Sequence, residues 1–253
     1  MQKFDLMKVN VDDISKKEII EKVKFFISPG KNKIIISYLN IQAINLSFKN
    51  PWFRDFLNKS DIVFCDGFGV ILGARILGKK IEHRNTPPDW IPQLAEMCAK
   101  NNYSLGLLGS TSGITQKTAT ILQKDNPNLQ IHFTHHGFFN KNLGHPENES
   151  VIHSINAVKP DILLVGFGMP LQEKWIMENF ERLDVKVILP VGAALDYISG
   201  NVRRAPLWMT DHGLEWLGRL IIEPRRLWKR YIIGIPLFFY RVLLQKFGLL
   251  KYD

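Results

Sequence analysis

With 253 residues, 45% hydrophobic and 23% charged, the chain is long enough and apolar enough to bury a full α/β core, which excludes intrinsic disorder as its resting state. Its two cysteines, Cys65 and Cys98, lie in apolar segments with no CxxC or Cys/His cluster; this excludes a disulfide framework and a cysteine metal site and reads as buried, reduced thiols. The net charge of +9 is unevenly placed: residues 201–253 hold ten Lys/Arg against four Asp/Glu, six of the nine positive charges, which points to a polyanionic partner such as nucleic acid, anionic lipid or a diphosphate.

The first fifteen residues lack the apolar core of a signal peptide, so a cytoplasmic location is expected. Short β-branched runs then alternate with amphipathic stretches. Strands are predicted at Phe4–Val9, Lys33–Tyr38, Asp61–Phe64, Ser104–Leu108, Gln130–Thr134, Asp161–Val165 and Lys186–Pro190. Helices fit between them at Lys16–Ile27, Ile41–Leu46, Gly69–Leu77, Ile91–Lys100, Gly113–Lys124, Glu149–Val158 and Gln172–Phe180. The alternation predicts a doubly wound, Rossmann-like parallel sheet with helices on both faces over residues 1–200. Ligands of such sheets bind at the carboxyl ends of the strands.

Beyond residue 200 the pattern changes to Arg- and Trp-rich helical segments, Asp211–Ile222 and Pro224–Tyr231, followed by the apolar run Ile232–Tyr240. That run is shorter than the roughly 20 apolar residues of a spanning helix and contains Pro236. It reads as a basic, amphipathic appendage over residues 201–253. Trp228, Tyr231 and Tyr240 are expected at lipid headgroup level, with a solvated terminal helix as the alternative.

Four segments carry chemistry. In DIVFCDGFG a strand runs into a glycine-flanked turn at Asp66, whose carboxylate suits a general base on a rigid element or an N-cap for the next helix. In LGSTSG, around Gly109, backbone N–H groups at a helix start can hold a phosphate; the segment matches neither a P-loop nor a complete GxGxxG. In VGFGMPLQEKW, Gly168 closes a strand and Gln172 can offer its amide to a sugar hydroxyl or phosphate, or the segment is simply a well-capped helix start. In VGAALDYISGNVRRAP, Asp196 can accept from a ribose or base, or pair with Arg203 or Arg204; the arginines can clamp a diphosphate. No DxD occurs, and His135, His136 and His145 lack metal-ligand spacing, so arginines and helix N-termini are left to meet a departing diphosphate.

Together these segments resemble the WecG/TagA/CpsF glycosyltransferases (glycosyltransferase family 26). The matching stretches are SYLNIQAIN around Asn40, CDGFGV around Asp66, GMPLQEKW from Gly168, VGAALDYISG from Val191, RAP from Arg204, GLEWLGR from Gly213 and EPRRLWKRY from Glu223. They cover nearly the whole chain. The resemblance implies an inverting, metal-independent transfer of a sugar from a UDP-sugar to a polyprenyl diphosphate-linked saccharide, in cell-wall or exopolysaccharide synthesis at the inner face of the cell membrane. It places the general base at Asp66 and polar pocket residues at Asn40 and Gln172. Diphosphate-binding arginines fall at Arg204, Arg219, Arg226 and Arg230. The remaining candidate substrate-binding residues are Tyr38, Arg84, Asp89, Gly109, Gly168 and Asp196. The stretch His83–Trp90, HRNTPPDW, departs from the family pattern with two prolines in a loop that would contact sugar or acceptor. The donor is therefore expected to be UDP-N-acetylmannosamine or UDP-glucose. No cofactor is expected. Expected partners are the two substrates and an anionic membrane surface, with no nucleic acid, and a homo-oligomer is left open. A nicotinamide-dependent oxidoreductase and a nucleic-acid-binding module remain the alternatives from other classes.

Overall fold

A computed structural model describes residues 2–251. Its elements, in chain order, begin with β1 (Gln2–Leu6), β2 (Val9–Asp13), α1 (Lys16–Ile27), β3 (Ile34–Leu39), α2 (Ile41–Lys49) and α3 (Pro51–Lys59). Next come β4 (Ile62–Cys65), α4 (Phe68–Ile76), α5 (Pro87–Asn101), β5 (Ser104–Gly109), α6 (Ile114–Asp125) and β6 (Gln130–His135). Then follow α7 (Pro146–Val158), β7 (Ile162–Gly166), α8 (Leu171–Asn179), β8 (Val187–Pro190) and α9 (Ala194–Ile198). The C-terminal helices are α10 (Leu207–Asp211), α11 (Glu215–Ile222), α12 (Pro224–Trp228), a π-helical turn Lys229–Ile233, and α13 (Gly234–Lys246). The class is α/β, as expected.

The chain divides into two compact units, one of Met1–Ser15, Tyr38–Thr86 and Arg203–Asp253, the other of Lys16–Ser37 and Pro87–Val202. In the first, β2 pairs antiparallel with β1 and parallel with β4. In the second, β8 pairs parallel with β3 and β7, and β5 parallel with β7 and β6. Strands β3, β7 and β8 are buried along their whole length, which is why they read as unbroken apolar runs rather than alternating ones. β6 is more exposed, and its sequence, QIHFTH, alternates accordingly.

Three local differences from the sequence reading stand out. The single strand Phe4–Val9 is instead a hairpin, turned at Met7 and Lys8, both in the left-handed region (φ 55° and 60°). This is the primed-turn backbone of a two-residue hairpin built without the usual Gly or Asn. The helix α3 was unforeseen; Pro51 occupies its first turn, where a missing N–H costs nothing. Tyr231, expected at a lipid surface, is buried, whereas Trp228 and Tyr240 are exposed. Among the described residues no helix is long and apolar enough to cross a membrane. Both cysteines are buried free thiols, and burial pushes the Cys98 thiol up to about 12.

Candidate active site

Within the first unit the carboxyl end of β4 delivers Asp66 into a cleft of about 850 Å³, part of it open to solvent. Three features hold the residue there. Its N–H donates to the Leu39 carbonyl at 2.8 Å, anchoring the turn to the end of β3. Asn40 caps α2 by accepting from the Ala43 N–H at 3.0 Å, and this fixes which way its amide points. The amide nitrogen then donates to Asp66 Oδ2 at 3.1 Å. Gly67, not Asp66, caps α4, and makes no side-chain cap bond. Its φ of 106° suits glycine, and a Cβ there would meet nothing, so the turn is kept open beside the carboxyl group. The capping alternative for Asp66 is thus occupied by its neighbour.

Charge surrounds this carboxylate. Burial pushes the Asp66 carboxyl above the ordinary aspartate value; the Asn40 bond opposes this, Glu215 adds to it, and Arg219 and Arg230 oppose it. A carboxylate with raised proton affinity is a better proton acceptor than a free aspartate. Arg84, Glu215, Arg219 and Arg230 all line the cleft. Arg84 lies over the Phe68 ring at 4.7 Å and 3.7 Å from Glu215. Arg204 approaches the same Glu215 at 3.6 Å. Glu215 was missed from sequence, although it sits in the quoted GLEWLGR stretch; so was Trp216, which packs on Tyr231 at 6.0 Å. Arg226 is exposed, pairs with Glu223 and does not line the cleft. Tyr38 is buried in β3 and stacks on Phe64 at 6.0 Å.

The other unit carries the remaining candidates. Gln172, wholly buried, accepts from the Gly168 N–H at 3.1 Å and the Gly192 N–H at 3.0 Å, tying together the turns that follow β7 and β8. Its amide nitrogen donates to Glu173 at 2.8 Å. Glu173 is also fully buried, and burial pushes its carboxyl up to about 7. Asp196 accepts from Ser110 Oγ at 2.6 Å and Asn201 Nδ2 at 2.9 Å. Gly109, at φ 152°, ends β5 so close to Gly166 that a Cβ would stand 2.5 Å from the Gly166 carbonyl oxygen. Asp89 lies in the first turn of α5. The structure therefore brings Asn40, Asp66, Arg84, Arg219 and Arg230 into one cleft of the first unit. Gly109, Gly168, Gln172 and Asp196 lie at the carboxyl ends of strands in the second. Among the described residues no group of three His, Cys, Asp or Glu side chains is placed to hold a metal ion.

The family model described as "Glycosyl transferase WecG/TagA/CpsF family" matches residues 4–252. Two curated relatives, from Staphylococcus aureus strains MRSA252 and NCTC 8325 / PS 47, are each 28% identical over 96% of this chain and 93% of their own length. A third, from strain MW2, is 27% identical over the same shares. All three carry the name N-acetylglucosaminyldiphosphoundecaprenol N-acetyl-beta-D-mannosaminyltransferase.

Proposed function

The chain belongs to the WecG/TagA/CpsF family of glycosyltransferases, and from that premise we propose that it transfers N-acetylmannosamine from its UDP-sugar to a polyprenyl diphosphate-linked N-acetylglucosamine in cell-wall polysaccharide synthesis. Family membership replaces the oxidoreductase and nucleic-acid-binding alternatives. The observation that carries the reading is the Asp66–Asn40 pair in a cleft walled by Arg219 and Arg230.

The reaction is a single displacement with inversion. Asp66 accepts the proton of the acceptor hydroxyl as its oxygen attacks C1 of the donor sugar and the C1–O bond to UDP breaks. The departing diphosphate gains negative charge, which Arg219 and Arg230 meet from the cleft wall, so no metal is required for that task. Arg204 stands behind them, 3.6 Å from Glu215 of the cleft wall, whereas Arg226, paired with Glu223 outside the cleft, is left out of this role. Asn40 keeps the carboxylate aimed. In the second unit Gln172 holds the Gly168 and Gly192 turns in shape.

The enzyme works as a peripheral protein on the inner membrane face. Supporting this are the exposed Trp228, Ile232, Ile233, Tyr240 and Phe247 among the basic residues of the C-terminal segment. The test is a panel of UDP-sugars against a prenyl diphosphate-linked N-acetylglucosamine, with and without chelator, measuring UDP release. UDP-N-acetylmannosamine is expected to be the best donor, with activity surviving chelation. Preference for UDP-glucose would replace the donor, and release of UDP from no donor would overturn the proposal.

A further inference from the structure

We infer that Asn45, a residue outside the cleft, is a positioning residue for the transfer: through Gly234 it holds the turn that carries Arg230, so that one helix, α2, sets both the base and a cation that serves it. Given the transfer reading above, on which this rests, Arg230 must face the departing diphosphate while Asp66 faces the acceptor hydroxyl. At the start of α2, Asn40 caps the helix and donates to Asp66. Further along the same helix Asn45 is buried and turns both ends of its amide to the C-terminal segment. Its Nδ2 donates to the Gly234 carbonyl at 2.8 Å, and its Oδ1 accepts from Arg241 Nη1 at 2.8 Å. The Arg241 guanidinium in turn lies 4.2 Å from the ring centroid of Phe48, also on α2. The approach is close: a Cβ on Gly234 would stand 3.3 Å from Asn45 Nδ2.

What Asn45 holds is the end of an irregular turn. Lys229–Ile233 is π-helical, and the Gly234 N–H closes it on the Lys229 carbonyl. The cause lies in the sequence. Pro236 has no N–H to give the Ile232 carbonyl, and in an unbroken α-helix its ring would press on that oxygen; a wider turn just before it relieves the clash. Such turns are rare and recur at functional sites. This one carries Arg230 and Tyr231, both on the cleft wall. Gly234 closes the turn with its N–H and is held by Asn45 at its carbonyl, so the bond from α2 fixes where the turn stands. Phe238 against Gly73, and Gln245 on Met7 and Asp5, anchor α13 beyond the turn; Asn45 anchors it at the turn itself.

The test is a double-mutant cycle of Asn45→Ala and Arg230→Gln in the full-length protein, with the best donor of the panel above and prenyl diphosphate-linked N-acetylglucosamine. The folded fraction of each protein is set by circular dichroism. Arg230→Gln alone is expected to lower kcat by about 10²- to 10³-fold. Asn45→Ala alone should lower it by about 10- to 10²-fold, as a misplacement of about 1 Å does. On top of Arg230→Gln it should cost less than about twofold, because the side chain it aims is already gone. The acid limb of kcat/KM is a second readout. The charges that bear on Asp66 are those of Glu215, Arg219 and Arg230. Arg230 lowers the proton affinity of Asp66, so both single variants should move the limb to higher pH. Gly234→Ala presses on the Asn45 amide while alanine favours the helix; it should move the limb the same way, and it carries both readouts if Asn45→Ala does not fold. A wild-type kcat in Asn45→Ala, equal losses from it in the two backgrounds, or an acid limb that it leaves unmoved would overturn the assignment and leave Asn45 a residue of the fold alone. Failure of the transfer reading shows in wild type by itself, as no UDP release from any donor, and takes the role of Asn45 with it.

Discussion

The two units treat their polar side chains in opposite ways. In the unit of Gln172 those side chains bond to one another and to backbone: Gln172 holds two glycine turns and one oxygen of Glu173, and Asp196 holds Ser110 and Asn201. In the unit of Asp66 they face a cleft, with two carboxylates and three arginines on its wall. An engaged network of that kind fixes backbone shape and offers a ligand main-chain groups. Unbalanced charges facing a cleft are what a reaction with a developing anion needs. On the proposed mechanism, proton transfer and charge stabilisation fall to the first unit, and the hydrogen bonds of Gln172 hold the fold of the second.

Substitutions in the two units should therefore fail in different ways. Asp66→Asn keeps the size of the side chain and removes the base, so single-turnover UDP release should fall by about 10²- to 10⁴-fold while UDP-sugar affinity holds. Arg219→Gln removes one donor to the leaving diphosphate and should cost about 10²- to 10³-fold in kcat. Gln172→Ala should act on folding instead. It orphans the Gly168 and Gly192 N–H groups at about 1–3 kcal/mol each, toward the low end because both turns are partly open to water. A denaturant midpoint reads this loss. A Gln172→Ala protein as stable as wild type but without activity would erase the distinction between the units.

Much of this was legible in the sequence because parallel strands buried on both faces announce themselves as apolar runs, and β3, β5, β7 and β8 were found within a residue or so of their ends. The hairpin at Met7–Lys8 was not, because its left-handed turn contains neither Gly nor Asn. Helix α3 was hidden by Pro51, which reads as a breaker unless it falls in the first turn. Asp66 was legible from its glycine-flanked strand end, and Asn40 only from the family resemblance. Glu215 was not singled out, since its importance comes from packing that sets it beside Arg84 and Arg204, from distant parts of the chain. Arg226 is seven residues from Arg219 in sequence, yet Pro224 starts a new helix between them, and only Arg219 lines the cleft.

The account turns on Asp66 being the group that must lose its proton, in a field set by its neighbours. The pH dependence of kcat/KM in wild type and in Glu215→Gln tests this most directly. Glu215 raises the proton affinity of Asp66, so removing its charge should move the acid limb to lower pH; Arg219→Gln, which removes an opposing cation, should move it to higher pH. Opposite displacements are the predicted result. An acid limb that stays in place in both variants would contradict the assignment of Asp66 as the base.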